Sequence, residues 1–331
     1  MNIAFLDHSF HAHTKSSHFF VAILERIGKV DLFYIDSERV DEEISQCDNL
    51  IKYDLIVFWQ ITPKVKTIKH LPPEKVIFIP MYDGCHQTSI AKWSKYQEYR
   101  FIAFSSILHR SFQRAGITSI FVQYVPPVSL ETIVAEKEKQ PTIYIWKRHK
   151  TFNLKPLIEC LTHLGIKKAI CHETTLEDPK EKYPINVEFT DGWYPTHEDY
   201  LNAINRCQYF LAPRLYEGIG MSFLEAMGSG LCVLSPNRAT MNEYIVDGKN
   251  GILFDSYDEL SKKIIDIETI SRNARQTYLT IQAKWNDEEA KLMEFLYSRH
   301  TASRSSLWIL YFIQDWLQRR KLRHHKVEDF R

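Results

Sequence analysis

The feature that most constrains the fold of this 331-residue chain is an alternation of short apolar runs with amphipathic stretches. Five runs rich in Ile, Val and Phe predict buried strands in the first third of the chain, at residues 2–7, 30–35, 54–59, 75–80 and 101–105, and a further strand is predicted at residues 119–124. Between them, residues 17–27 and 107–115 have helical patterns, and Gly116 predicts the end of the second helix. Strands that alternate with helices predict a parallel sheet with helices on both faces.

The same pattern starts again after a polar segment, residues 131–141, which ends in EKEKQP. Strands are predicted at residues 142–146, 168–172, 187–190, 209–213 and 231–235, and helices at 154–164, 200–206 and 222–229. We therefore predict two Rossmann-like domains, residues 1–135 and 140–299, followed by a C-terminal helix and basic tail over residues 300–331. Ligands of open α/β sheets bind outside the carboxyl ends of the strands, so functional residues are expected directly after strands.

Charge and cysteine usage exclude some classes of protein. A net charge of +1 argues against a dedicated nucleic-acid-binding protein, which is usually strongly basic. The six cysteines are scattered and include no CxxC pair, which predicts reduced thiols. The N-terminus begins as a strand rather than as a signal peptide, and no apolar run is long enough to cross a bilayer. We expect a cytoplasmic protein.

The segment PRLYEGIGMSFLEAMGSGLCVLSP, residues 213–236, carries the clearest chemistry. A predicted strand is followed by a loop with Glu217, Gly218 and Gly220, and then by a helix that contains Glu225. Glycines let the backbone approach a ligand closely, and the N-terminus of the following helix is a natural seat for a pyrophosphate. Two carboxylates beside it would accept hydrogen bonds from sugar hydroxyls.

Residues 142–256 resemble the donor-binding half of family-4 retaining glycosyltransferases, which have the GT-B fold. The resemblance rests on Glu217 and Glu225, on the small residues 228–230 before a buried strand, and on the later Glu243 and Asp247-Gly248. It implies an α/β protein with two Rossmann-like parallel-sheet domains facing a central cleft. It also implies an enzyme that moves a sugar, with retention, from a nucleoside-diphosphate sugar to a hydroxyl of a glycan.

The resemblance assigns roles to individual residues. Glu217 would bind the donor sugar and Glu225 the ribose, while Arg148 and Lys150 would neutralise the diphosphate. Lys147 and Lys155 are alternatives for the phosphate contact, because the glycine that usually precedes this arginine is absent. The remaining donor-binding candidates are Gly192, Trp193, Arg214, Gly218, Ile219, Gly220, Met221 and Ser222. The sequence contains no DxD motif between apolar runs, so we expect a metal-independent reaction with no cofactor beyond the donor.

The acceptor side is less defined. Asp83 and His86 follow the fourth predicted strand, where the family often places an Asp or His at the reaction centre; Asp83 could equally be a turn residue that caps a helix. The loop at residues 7–17 contains three histidines, and a polar acceptor-facing loop, a metal site and an ordinary surface loop all remain open for it.

The C-terminal segment combines apolar residues at 307–317 with the basic residues Arg319, Arg320, Lys321, Arg323 and Lys326. It could lie against a membrane surface that carries anionic lipids, or dock on the first domain. A membrane contact would suit a lipid-linked acceptor. Two other functions fit the same residues: a sugar-nucleotide epimerase or phosphorylase, and a catalytically silent domain that binds a glycan or a partner enzyme.

Overall fold

The computed structural model describes residues 1–47, 49–129, 136–147, 152–173, 182–298, 306 and 308–313. These residues contain two parallel sheets of six strands each, with helices between the strands. They divide into two compact units, the first formed by Met1–Val122 and Glu288–His325, and the second formed mainly by Gln123–Asp287.

The sheet of the first unit has the order β2-β1-β3-β4-β5-β6. Its strands are β1 (Asn2–His8), β2 (Lys29–Ile35), β3 (Leu55–Trp59), β4 (Val76–Ile79), β5 (Arg100–Ala103) and β6 (Thr118–Phe121). The helices between them are α1 (His11–Thr14), α2 (His18–Glu25), α3 (Val40–Gln46), α4 (Val65–Ile68), α5 (Tyr82–Cys85), α6 (Ile90–Trp93) and α7 (Ser106–Arg114). Every residue of β3, β4 and β5 is buried, as the continuous apolar runs of these strands predict.

The sheet of the second unit has the order β12-β11-β10-β7-β8-β9. Its strands are β7 (Thr142–Lys147), β8 (Lys168–Glu173), β9 (Asn186–Asp191), β10 (Tyr209–Leu211), β11 (Cys232–Pro236) and β12 (Ile252–Phe254). Its helices are α8 (Leu154–His163), α9 (His197–Asn205), α10 (Met221–Gly228), α11 (Tyr257–Ser261) and α12 (Ile267–Ala283), and a last helix, α13 (Trp285–Tyr297), follows. The sequence predicted five of these strands, and β12 was not predicted.

Gly116 ends α7 as predicted. Its φ is 77°, a left-handed conformation that favours glycine, and its N–H donates to the carbonyl of Gln113 at 3.0 Å. The next residue donates to the carbonyl of Phe112 at 3.0 Å, which completes the cap and directs the chain into β6.

The first unit ends at Val122, upstream of the segment 131–141 where the sequence placed the boundary. Tyr278 on α12 explains the difference, because its hydroxyl donates to the carbonyl of Pro126 at 2.6 Å and accepts from the N–H of Val128 at 2.9 Å. These bonds attach the chain to the second unit before the polar segment begins.

The chain returns to the first unit within α13, whose residues from Glu288 onward belong there. Arg100, buried in β5, donates to the carbonyls of Phe295 at 2.7 Å and Ser298 at 2.9 Å. Further along, residues 308–313 are helical, and Trp308 packs against the core of the first unit. No helix among the described residues is long and apolar enough to cross a membrane.

Candidate functional site

The loop between β10 and α10 contains Glu217 and depends on one glycine. Gly220 precedes the first residue of α10 with φ of 81°, and a Cβ at this position would run into the ring of Phe223. Both the conformation and the contact therefore require glycine. Since Gly220 has no side chain, it cannot cap the helix, and the first N–H groups of α10 are left to other acceptors.

Thr240 fixes the carbonyl side of this loop. Its buried hydroxyl lies 2.5 Å from the carbonyl oxygen of Glu217 and 2.9 Å from that of Gly218. The Glu217 residue itself is only 7% exposed. A carboxylate thus sits in a low-dielectric position on a loop whose backbone is held by a residue 23 positions later.

Glu225 lies in the middle of α10 and is 6% exposed. Its Oε1 lies 2.8 Å from Nε2 of His197, the first residue of α9, whose side chain is 57% exposed. The hydrogen bond to Glu225 raises the pKa of His197, and burial opposes that shift in part. The sequence did not indicate His197, since a lone histidine at a helix start matches no motif.

The turn after β9 has the geometry of an open aromatic surface. Gly192 has φ of 81°, and Trp193 beside it is 56% exposed. The next residue, Tyr194, stacks on His172 with ring centroids 4.6 Å apart, and its hydroxyl lies 3.0 Å from that of Tyr144. A flat aromatic group is therefore presented to solvent beside a rigid cluster of rings.

The other donor-binding candidates surround the same loop. Ile219 and Ser222 are buried, whereas Arg214 and Met221 are half-buried. Arg214 is the third residue after β10, in the loop at the carboxyl end of that strand.

Of the four candidate phosphate contacts, Arg148 and Lys150 lie outside the described residues. Lys147 ends β7 in register with Glu173 of β8, and its Nζ lies 2.7 Å from Oε1 of that buried carboxylate. Lys155 lies in the first turn of α8 and is exposed. An ion pair therefore engages Lys147, while the ammonium group of Lys155 reaches solvent.

Asp83 and His86 lie in the first unit. Asp83 belongs to the first turn of the short helix α5, and its carbonyl accepts a hydrogen bond from Nδ1 of His86 at 3.0 Å. Both residues are half-buried. The N-cap residue of α5 is Met81, so Asp83 lies within the helix, two residues after its N-cap.

A second cluster in the first unit was not identified from the sequence as a unit. Asp7, 1% exposed at the carboxyl end of β1, accepts hydrogen bonds from Nδ1 of His11 at 2.6 Å, from Oγ of Ser17 at 2.5 Å and from the N–H of His8 at 2.7 Å. These bonds stabilise the histidine-rich loop. Within the described part of the chain, no three His, Cys, Asp or Glu side chains are arranged to hold a metal ion.

Residues 153–284 match the family described as Glycosyl transferases group 1. The match includes Gly192, Glu217 and Glu225. Sucrose synthase of Denitrovibrio acetiphilus is 36% identical over 73 residues, which are 22% of this chain and 9% of the relative's length. The match thus spans less than a tenth of that curated relative.

Solved structures share the fold at low sequence identity. Sucrose-phosphate synthase from Thermosynechococcus elongatus matches with a TM-score of 0.62 and 12% identity, over 89% of this chain and 98% of its own. HepE from Anabaena in complex with UDP matches with a TM-score of 0.59 and 14% identity, over 89% and 100% of the two chains. The same protein in complex with UDP-glucose gives a TM-score of 0.55 at 15% identity, again over 89% and 100%. The two six-stranded parallel sheets are therefore those of the GT-B fold, as the resemblance predicted.

Proposed function

We propose that this protein is a retaining glycosyltransferase that moves a sugar from a nucleoside-diphosphate sugar to a hydroxyl of a glycan acceptor, without a metal ion. One observation carries the proposal. The family match covers the loop between β10 and α10, in which position 220 requires glycine. Two buried carboxylates, those of Glu217 and Glu225, come before and after the N-terminus of α10, which has no side-chain cap.

The start of α10 suits the diphosphate. The N-terminus of a helix carries unsatisfied N–H groups and the positive end of the helix dipole, and both favour an anion. Because Gly220 makes no side-chain cap, the first N–H groups of α10 would be able to donate to a phosphate. UDP is the first nucleotide to test, because HepE, which shares the fold, binds UDP and UDP-glucose.

The carboxylates suit hydroxyl recognition. Glu217 lies on the loop and Glu225 lies about one turn into the helix, so they would meet a ligand at two depths. Glu217 would position the sugar, and Glu225 the ribose. Positively charged side chains beside the departing diphosphate would stabilise the negative charge that it gains in the transition state. Arg148, Lys150 and the exposed Lys155 are the candidates for this role. Attack on the same face as the leaving phosphate needs no protein nucleophile.

The test is to replace Glu217 by alanine. Loss of a contact that strengthens in the transition state should lower turnover at least about 100-fold, while UDP affinity changes little. Turnover is measured as UDP release from UDP-glucose, first alone and then with a panel of glycan acceptors. Glu268→Ala, an exposed glutamate in the first turn of α12, is the matched control and should retain full turnover.

Near-normal turnover of Glu217→Ala with an unchanged circular dichroism spectrum would rule out the assigned role. NMR of the product anomer decides retention. Conversion of the donor sugar without acceptor would favour an epimerase, and nucleotide binding without turnover would favour a silent binding domain. Calorimetry with UDP, GDP, ADP and dTDP identifies the nucleotide.

We further propose that the C-terminal segment meets an anionic membrane, where a lipid-linked acceptor would be found. Five consecutive residues, Ile309, Leu310, Tyr311, Phe312 and Ile313, are each at least 38% exposed. The five Arg and Lys residues at 319–326 that follow in the sequence would add electrostatic attraction to anionic headgroups.

Flotation with vesicles that contain phosphatidylglycerol tests this contact. The full chain should float, and a chain truncated after Ser305 should stay in the soluble fraction. Replacing Arg319, Arg320 and Lys321 by glutamine should reduce flotation in part. Equal flotation of the full and truncated chains would overturn the proposal.

A further inference from the structure

His197 is an exposed residue that is hydrogen-bonded to a buried carboxylate, that of Glu225. Its imidazole is 57% exposed, whereas the side chain of Glu225 is 8% exposed. The bond therefore lies where the buried end of the candidate donor site meets solvent. The exposed imidazole of His197 therefore holds one oxygen of the buried Glu225 carboxylate by a hydrogen bond.

The backbone at His197 is fixed by the start of α9. Thr196 and Asp199 form a capping box, in which the hydroxyl of Thr196 accepts from the N–H of Asp199 at 3.0 Å and the Asp199 carboxylate accepts from the N–H of Thr196 at 3.0 Å. The ring of His197 lies 6.0 Å from that of Tyr200, one turn later. The imidazole is thus directed at Glu225 by rigid local structure.

We propose that His197 is a positioning residue that holds the Glu225 carboxylate in the orientation in which it binds the ribose hydroxyls of the donor. This inference rests on the proposed donor site. A carboxylate has about four acceptor directions, so the bond from Nε2 fixes the group without exhausting its capacity to bind hydroxyls. Without His197, Glu225 could rotate about its side-chain torsions and would have to be ordered again for each ligand.

The bond is strongest when the imidazole is charged. The pKa of His197 is raised by its hydrogen bond to Glu225, so the imidazole is charged below its ordinary pKa of 6.5 and loses this charge as the pH rises through the raised value. Among the described residues, the ring of Tyr200 lies beside His197, and Tyr124 and Tyr278 interact electrostatically with Glu225. Burial raises the pKa of Tyr124 and Tyr278, so neither titrates where His197 does.

The experiment compares UDP with 2′,3′-dideoxy-UDP, which has the same base and phosphates but lacks the ribose hydroxyls. Hydrogen bonds to a charged partner predict that the wild-type protein binds UDP at least about 10-fold more tightly. His197→Ala should lower this ratio to about 3 or less. Glu225→Gln should lower this affinity ratio as well. The double variant of His197→Ala and Glu225→Gln should lower it no further, because both substitutions disrupt the same His197–Glu225 pair.

The pH dependence separates a positioning role from a merely structural one. In the wild-type protein the ratio should fall as the pH rises above the ordinary imidazole range, whereas in His197→Ala it should be flat. Because both ligands carry the same phosphates, titration of the phosphates cancels in the ratio. His197→Gln, whose amide donates at every pH, should restore much of the ratio and remove its pH dependence.

His163→Ala, an exposed histidine at the end of α8, is the matched control and should behave as the wild type. An unchanged ratio in His197→Ala overturns the inference while leaving the proposed donor site intact. If the wild-type protein and all variants bind none of the four nucleotides UDP, GDP, ADP and dTDP, the proposed function itself has failed.

Discussion

The carboxyl end of β1 in the first unit and the carboxyl end of β10 in the second unit both bury a carboxylate, but they hold it differently. At β1, all three donors to Asp7 come from the next ten residues, His8, His11 and Ser17. At β10, the loop of Glu217 is held by Thr240, 23 residues later, and Glu225 is bonded to His197, 28 residues earlier. The first site is closed by local structure and the second by tertiary structure.

The difference affects what each site tolerates. Because the donors to Asp7 all lie on one short loop, we expect replacement of Asp7 to destabilise mainly that loop and the adjacent strand β1. The second site depends on backbone conformation, since Gly220 has φ of 81° and faces the Phe223 ring. A change there alters both stability and the surface offered to a ligand. The comparison teaches that the local site is held by hydrogen bonds within one loop, whereas the second site is held by hydrogen bonds from distant residues and by the left-handed backbone at Gly220.

Replacing Asp7 by alanine is the largest expected perturbation. It leaves three donors without their acceptor in a buried place, which should lower the free energy of unfolding by about 2–5 kcal/mol. Urea denaturation, followed by circular dichroism, measures the loss. Asp36→Ala is the control in the same unit, since the Asp36 side chain is 42% exposed, and it should lower the free energy of unfolding much less.

Asp7→Asn keeps the shape of the side chain but replaces one acceptor oxygen by an amide NH2 group, which cannot accept hydrogen bonds from the donors around position 7. It should therefore be destabilising as well, though less than alanine if the amide oxygen can still accept from His11. A cost for Asp7→Ala no larger than that for Asp36→Ala would break the comparison, because the loop would then not depend on its local carboxylate.

Replacing Gly220 by alanine should have a smaller effect on stability and a larger effect on ligand binding. A non-glycine residue in a left-handed conformation costs about 1–2 kcal/mol, and the contact with Phe223 adds to it. Gly192→Ala is the matched variant, since Gly192 also has φ of 81° but a Cβ there meets nothing within 4 Å. The difference in the free energy of unfolding between the two variants isolates the contact with Phe223.

The double variant Gly220→Ala with Phe223→Leu should recover part of that difference, since the smaller side chain can move away. Equal costs for Gly220→Ala and Gly192→Ala would mean that φ alone requires glycine at position 220. UDP affinity, measured by calorimetry, should fall for Gly220→Ala because the added methyl group disturbs the start of α10.

Much of the fold could be predicted from the sequence. The apolar runs gave eleven of the strands to within a few residues, because Val, Ile and Phe in short bounded runs favour buried parallel strands. The domain boundary was placed too late relative to the division at Val122, since Tyr278 attaches residues 126–128 to the second unit through contacts that no local pattern shows.

The candidate site was predictable in part. Gly220 and the two glutamates follow from the order strand, glycine loop, helix, whose backbone chemistry is local. His197 could not be found this way, because its role depends on the packing of α9 beside α10. The cluster around Asp7 lies within one loop, yet its polar residues also fit an ordinary surface loop until burial is known.

The sequence by itself therefore determined the strands and helices, their order and the glycine-dependent loop, because each depends on residues close together in the chain. The tertiary structure alone decided which side chains meet. It paired His197 with Glu225, Thr240 with the Glu217 carbonyl, and Lys147 with Glu173. Such contacts depend on how strands and helices pack, and a parallel sheet brings together residues that are tens of positions apart.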